Sequence, residues 1–123
     1  MTISSPEHQE IVGNTPVEKV TVENGIKTVV FEKTKPMPTY LIAYTVGPFD
    51  SAEISGLSVP GKIYVPKGYA DKTKFVIKHI PEILASLEDF FGIKYPYKKM
   101  DFVAVPNFTH GAMENVGLIT YRD

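Results

Sequence analysis

The residues with the means to bind a ligand gather in one stretch, Pro106-Asn-Phe-Thr-His-Gly-Ala-Met-Glu-Asn-Val-Gly117. Two glycines, Gly111 and Gly117, flank a lone carboxylate, Glu114. Gly111 and Ala112 carry little or no side chain, so their backbone N–H and C=O groups can lie close to an extended ligand. A peptide is held in that manner when it adds its backbone to an exposed sheet edge. Glu114 beside such an edge can pair with an ammonium group at the ligand's end. Taken alone, the stretch also describes a solvated glutamate in a glycine-rich loop, which is the commoner case.

Other chemistry is scarce. The three histidines, His8, His79 and His110, form no H-x-x-x-H pair and stand in no recognisable metal-ligand spacing with carboxylates. His79 lies beside the apolar positions of a helical pattern and reads as a packed or surface histidine, while His8 has no role. The chain has no cysteine, which removes disulfides, thiolate nucleophiles and cysteine-zinc sites together. There is no G-x-S-x-G elbow, phosphate-binding glycine loop or dinucleotide fingerprint. Tyr95-Pro-Tyr-Lys-Lys99 mixes aromatic and basic residues, as a solvated turn does.

The elements that must position the Gly-rich stretch follow from pattern. The 123 residues suit one compact domain, with 43% hydrophobic and 22% charged residues. Thirteen basic against 14 acidic residues leave a formal charge of −1, which argues against a nucleic-acid-coating protein. Nine Gly and ten Pro favour strands joined by turns over a helical bundle. Residues 1–15 are polar and unpatterned and read as a loose lead-in. Val17–Val22 and Ile26–Phe31 alternate around Asn24-Gly25, the pair best suited to the positive φ angles of a type I′ hairpin turn. Thr39–Val46 reads as a more fully buried strand ended by Gly47-Pro48.

The second half opens near Val59-Pro60, with Lys62–Val65 as a short strand closed by Pro66. Asp71 is a candidate helix N-cap. Phe75, Val76, Ile80, Ile83, Leu84, Leu87, Phe90 and Phe91 then recur with the 3.6-residue period of one buried face, stopped by Gly92. Pro81 lacks the N–H that Ile77 C=O needs, which predicts a kink or two short helices. Phe102–Val105 and Gly117–Tyr121 read as further strands. The fold class is α+β: an antiparallel β segment, then a β-α-β-β piece forming a mixed sheet with a helix on one face. The start of the sequence lacks the pattern of a signal peptide. The most apolar run, Tyr40–Val46, is far short of the roughly 18 residues that span a bilayer. These features favour no membrane partner and a cytoplasmic location.

Gly111-Ala-Met-Glu-Asn115 matches the GAMEN signature of a zinc aminopeptidase family, the gluzincin group that includes membrane alanyl aminopeptidase and leukotriene hydrolase. Four more blocks resemble that family in the same order. Lys35-Pro-Met-Pro-Thr-Tyr-Leu-Ile-Ala-Tyr-Thr-Val-Gly-Pro-Phe49 is similar to its P-M-S-T-Y-L-L-A-F-x-V-G-x-F segment. Phe91-Gly-Ile-Lys-Tyr-Pro-Tyr97 is similar to the turn before its next strand. Lys99-Met-Asp-Phe-Val-Ala-Val105 and Gly117-Leu-Ile-Thr-Tyr-Arg122 fit as well, so the likeness covers about residues 26–123.

The resemblance implies that residues 16–58 are the last strands of an N-terminal β domain. Residues 59–123 would then open a thermolysin-like catalytic domain. It implies that Gly111 and Ala112 hold the substrate backbone, Glu114 binds the free α-amino group, and Met113 and Asn115 shape and support the strand. The implied partner is a peptide with a free N-terminus, and the implied cofactor of the intact enzyme is zinc. The family's H-E-x-x-H motif lies beyond GAMEN and does not occur in these residues. The expectation is therefore a fragment with no catalytic residue, no bound zinc and no activity of its own. A short non-catalytic peptide-binding or interaction module with the same fold is the alternative. Smaller departures are Val116 where many members have Trp, and Thr109-His110 where Ala-Ala is common. Cutting a large enzyme here would expose sheet edges and apolar surface, at Tyr40–Val46, Phe102–Val105 and the Leu87/Phe91 helix face, which predicts self-association.

Overall fold

The computed structural model describes residues 1–123. Ten strands and one α-helix are arranged in three sheets, which bears out the α+β class. The hairpin of β3 (Val17–Glu23) and β4 (Ile26–Phe31) turns where the residue types demand. Asn24 and Gly25 adopt φ of 51° and 75°, the left-handed region these two residues tolerate best. The first fifteen residues are not a loose lead-in. β1 (Thr2–Pro6) pairs antiparallel with β4, and β2 (Glu10–Gly13) pairs with β5 (Tyr44–Gly47). Their side-chain pattern is irregular because order is imposed by partners far along the chain, and Ile11 and Val12 of β2 are buried.

The Thr39–Val46 run also differs from its pattern. Thr39–Leu41 forms a 3₁₀ turn entered from Pro38, and only Tyr44–Gly47 is strand. Tyr40 is 62% exposed rather than buried. The chain does not stop at Gly47-Pro48 either, because Phe49–Glu53 continues as β6, an edge strand that the turn residues disguised.

The larger sheet has the order β6-β7-β8-β10-β9. β7 (Lys62–Pro66), β8 (Asp101–Val105) and β10 (Leu118–Arg122) run parallel, with β6 and the two-residue β9 (Ala112–Met113) antiparallel at the edges. β8 is therefore a central strand, with Phe102 and Val103 buried, and Phe102–Val105 is not the exposed edge expected of it. On one face, Val76, Ile77 and Ile80 of helix α1 (Lys74–Phe91) pack on Ile63, Val65 and Phe102. On the other, Val12 of β2 packs with Val103 and Leu118, with Ala43 and Phe49 against them. β2 faces two ways, because its neighbour Ile11 joins Val29 and Phe31 of the small sheet. Alternation along one strand thus ties the N-terminal layer to the sheet that carries the Gly-rich stretch.

Helix α1 runs unbroken through Pro81. The missing N–H removes one bond, and the remaining ladder and the sheet contacts hold the helix together. Asp71 is not its N-cap: it sits in a preceding 3₁₀ turn, Ala70–Thr73, with its carboxylate 3.6 Å from Lys74 Nζ. Gly92 ends the helix at φ 67°, its N–H bonded to Asp89 C=O. Only part of the predicted apolar face is covered. Leu84 is buried, but Phe75, Leu87, Phe90 and Phe91 are exposed.

Candidate functional site

The Gly-rich stretch leaves β8 at Pro106, turns through Asn107 at φ 58°, and returns as β9 along β10. Met113 pairs with Thr120, Ala112 with Tyr121, and the Arg122 N–H donates to Gly111 C=O at 3.0 Å. Alternate residues of an antiparallel strand point their backbone groups at the partner. With Gly111 turned toward β10, the N–H and C=O of Ala112 face the other way, to the open edge of the sheet. That edge is short and untwinned, and an extended chain laid beside it finds free donors and acceptors. Glu114 follows directly, exposed, and its side chain makes no hydrogen bond or ion pair within the chain. The five residues Gly111, Ala112, Met113, Glu114 and Asn115 thus sit together at one sheet edge.

Beyond Glu114 the character changes. Asn115 is buried, its Oδ1 accepting from Thr120 Oγ1 at 3.1 Å and its Nδ2 donating to Tyr40 C=O at 3.4 Å. Val116 C=O accepts from Asn14 Nδ2 at 2.7 Å. Gly117 N–H meets the Tyr95 hydroxyl at 3.3 Å, and Gly117 C=O accepts from Lys99 Nζ at 2.7 Å and from Asp101 N–H at 3.1 Å. Gly117 has φ 68°, and a Cβ there would stand 2.0 Å from the Asn14 carbonyl oxygen, so no other residue fits.

The electrostatics beneath the site are those of a buried ion pair. Lys99 Nζ lies 2.7 Å from Asp101 Oδ2, and Asp101 Oδ1 accepts the Lys62 N–H at 2.9 Å. Burial lowers the Lys99 pKa from its ordinary value, and the Asp101 charge and hydrogen bond oppose that shift. Burial also raises the Tyr95 phenol, with Gly117 N–H pulling the other way. Tyr64, on the neighbouring strand, is raised strongly by burial and by the charges of Asp101 and Glu10. Sequence reading gave none of Asn14, Tyr95, Lys99 or Asp101 a role. The closely spaced Lys99 and Asp101 were visible as part of a block, but nothing local marked Asn14.

The histidines stay apart. His79 lies tilted against Phe75, 4.4 Å between ring centroids, with Nδ1 3.6 Å from Glu82, and His110 lies near Phe108. No three His, Cys, Asp or Glu side chains come together in a way that could hold a metal ion. The residues of this chain do not fit a zinc site.

The Peptidase family M1 domain matches residues 75–123, which include all but the first residue of α1, β8 and the whole Gly-rich edge. Aminopeptidase M1-B of Oryza sativa subsp. japonica is 40% identical over 124 residues, taking in all of this chain and 14% of the relative. Aminopeptidase N of Acetobacter pasteurianus is 36% identical over 125 residues, with 35% of its length covered. Glutamyl aminopeptidase of Bos taurus is 36% identical over 125 residues, with 13% covered. Along its whole length the chain is similar to aminopeptidases, and over residues 75–123 to the peptidase family M1 domain. It spans about a seventh of the length of the rice relative. The likeness to the rice relative takes in β1 and β2 as well as residues 75–123. No helix is long and apolar enough to cross a membrane.

Proposed function

We propose that this chain forms one wall of the substrate cleft of a zinc-dependent aminopeptidase and binds the N-terminal end of a peptide. The observation that carries the reading is the open edge of β9, with the backbone of Ala112 turned outward and the unpartnered Glu114 next to it. A peptide's first residues add to that edge as a short strand. Gly111 and Ala112 leave room for the backbone, and Glu114 meets the α-ammonium group. Met113 and Asn115 hold the strand in place. A carboxylate set to meet an ammonium rejects a blocked N-terminus, because the charge would lose its partner in the cleft. This accounts for exopeptidase selectivity. The relatives' names, all aminopeptidases, support it. The catalytic zinc, its ligands and the base belong to parts of such an enzyme outside these residues, and this chain by itself is expected to hydrolyse nothing.

The test is kinetic, in the full-length enzyme that contains residues 1–123. Glu114→Gln keeps the shape and removes the charge. The lost charge-assisted bond costs about 1.5–3 kcal/mol, which is about 10- to 150-fold in kcat/KM. Glu114→Ala is at least as damaging, and metal content stays unchanged in both. Wild-type turnover of a free-amine anilide by Glu114→Ala would end the assignment.

A further inference from the structure

Glu114 stands at the boundary between two kinds of chain. On its N-terminal side, Pro106, Asn107 and Thr109–Ala112 are exposed and held to the sheet only through β10. On its C-terminal side, Asn115, Val116 and Gly117 have backbone or side-chain groups tied to residues from distant parts of the fold. One side chain stands out among these ties. Asn14 is 4% exposed, follows β2, and spends its whole amide on three backbone groups. Its Nδ2 donates to Leu41 C=O at 2.9 Å and to Val116 C=O at 2.7 Å, and its Oδ1 accepts from Ala43 N–H at 2.8 Å. Both donors and the acceptor are used, so the amide has one orientation. Asn14 therefore joins the N-terminal layer, the Thr39–Ala43 turn and the segment two residues after Glu114. The same turn is gripped a second time, since Tyr40 C=O accepts from Asn115 Nδ2.

We infer that Asn14 is a positioning residue for Glu114: by holding the Val116 carbonyl it fixes the end of the amine-binding strand and so aims the carboxylate. The inference rests on the reading of Glu114 as the amine anchor. A free carboxylate on a mobile turn would have to be ordered at each binding event, at a cost in affinity. With residues 115–117 locked, the remaining freedom of Glu114 is that of its own side chain. Tyr95, through Gly117 N–H, adds to the lock from the opposite side.

Asn14→Asp is nearly isosteric and keeps the acceptor for Ala43 N–H, but it turns an oxygen toward the carbonyls of Leu41 and Val116. In the full-length enzyme this substitution is expected to raise KM for a free-amine aminoacyl anilide by roughly fivefold or more. The change in kcat should be smaller. In a Glu114→Ala background the same substitution should change kcat/KM by less than about twofold, because what it positions is gone. An equal loss in both backgrounds, or no loss in either, overturns the inference. If Asn14→Asp does not fold, Tyr95→Phe is read by the same criterion, with a smaller effect expected. A Glu114→Ala enzyme that behaves as wild type overturns the amine-anchor reading instead, and the two failures are thereby told apart.

Discussion

Gly117 shows how much a single residue can carry. Its φ of 68° lies in the left-handed region that favours glycine, and the space beside it is taken by the Asn14 carbonyl. Gly25 shares the first condition, with φ 75°, but has nothing within 4 Å of where a Cβ would be. The two positions separate backbone strain from steric collision. Gly25→Ala should cost about 1–2 kcal/mol, the strain of a left-handed residue alone. Gly117→Ala adds an overpacking cost against a backbone atom that cannot rotate away, for a total of about 2–5 kcal/mol. Urea unfolding of the two variants measures the difference, and equal losses would mean that the loop after Glu114 yields. The residue scale is also where sequence reading divided. The stretch Gly111–Asn115 could be singled out because its residues are contiguous, and the structure places Ala112 and Met113 of it in the edge strand β9. Asn14 could not, since its partners lie 27 to 102 residues away and only folding brings them together.

At the scale of elements, local signals were reliable where the cause was local. Asn24-Gly25 makes its own hairpin, and Gly92 ends its helix, because positive φ is a property of those residues. The failures are non-local. β1 is ordered by pairing with β4, and Thr39–Leu41 is a 3₁₀ turn whose carbonyls serve Asn14 and Asn115 instead of a sheet partner. The end of α1 illustrates an element held by one buried charge. Glu88 accepts from Lys94 Nζ at 2.8 Å, from Ser58 Oγ, and from Tyr95 N–H at 2.8 Å. The hydrogen bond from Lys94, followed by those from Ser58 and Tyr95, lowers its pKa to about 2 from an ordinary 4.5. A group whose folded pKa is depressed stabilises above its unfolded pKa and loses that contribution as pH falls toward the folded one. The melting temperature should therefore fall between about pH 4.5 and 2 through Glu88. Glu88→Gln should be less stable at neutral pH and show a shallower fall in that window. A variant with the same acid slope as wild type would remove Glu88 from the account. Because Tyr95 connects Glu88 to Gly117, the helix end and the Gly-rich edge share a support.

The whole molecule is a helix-and-strand frame with one side of the helix bare. Phe75 is 73% exposed, Phe90 81% and Phe91 65%, and Ile83, Leu87 and Ile93 are exposed as well. Apolar residues at this spacing are the mark of a face that something covers. The period was legible in the sequence, but which part of the face meets the sheet was not, because that depends on where β7 and β8 lie beneath it. Only Val76, Ile77 and Ile80 find those strands. With a net charge of −1, repulsion between copies is weak. Open edges at β6 and β9 add unpaired backbone groups. As an isolated chain the 123 residues are therefore expected to self-associate at high concentration and to bind an apolar dye. The helix face and the strand edges make different predictions under substitution. Phe90→Glu with Phe91→Glu should restore a monomer and abolish dye binding if the helix face drives association, with little loss of stability because both side chains are already in water. If association persists while dye binding falls, strand pairing at the edges is the cause. Light scattering of the unmodified chain that shows a sharp monomer across the concentration range, with no dye bound, would refute both routes.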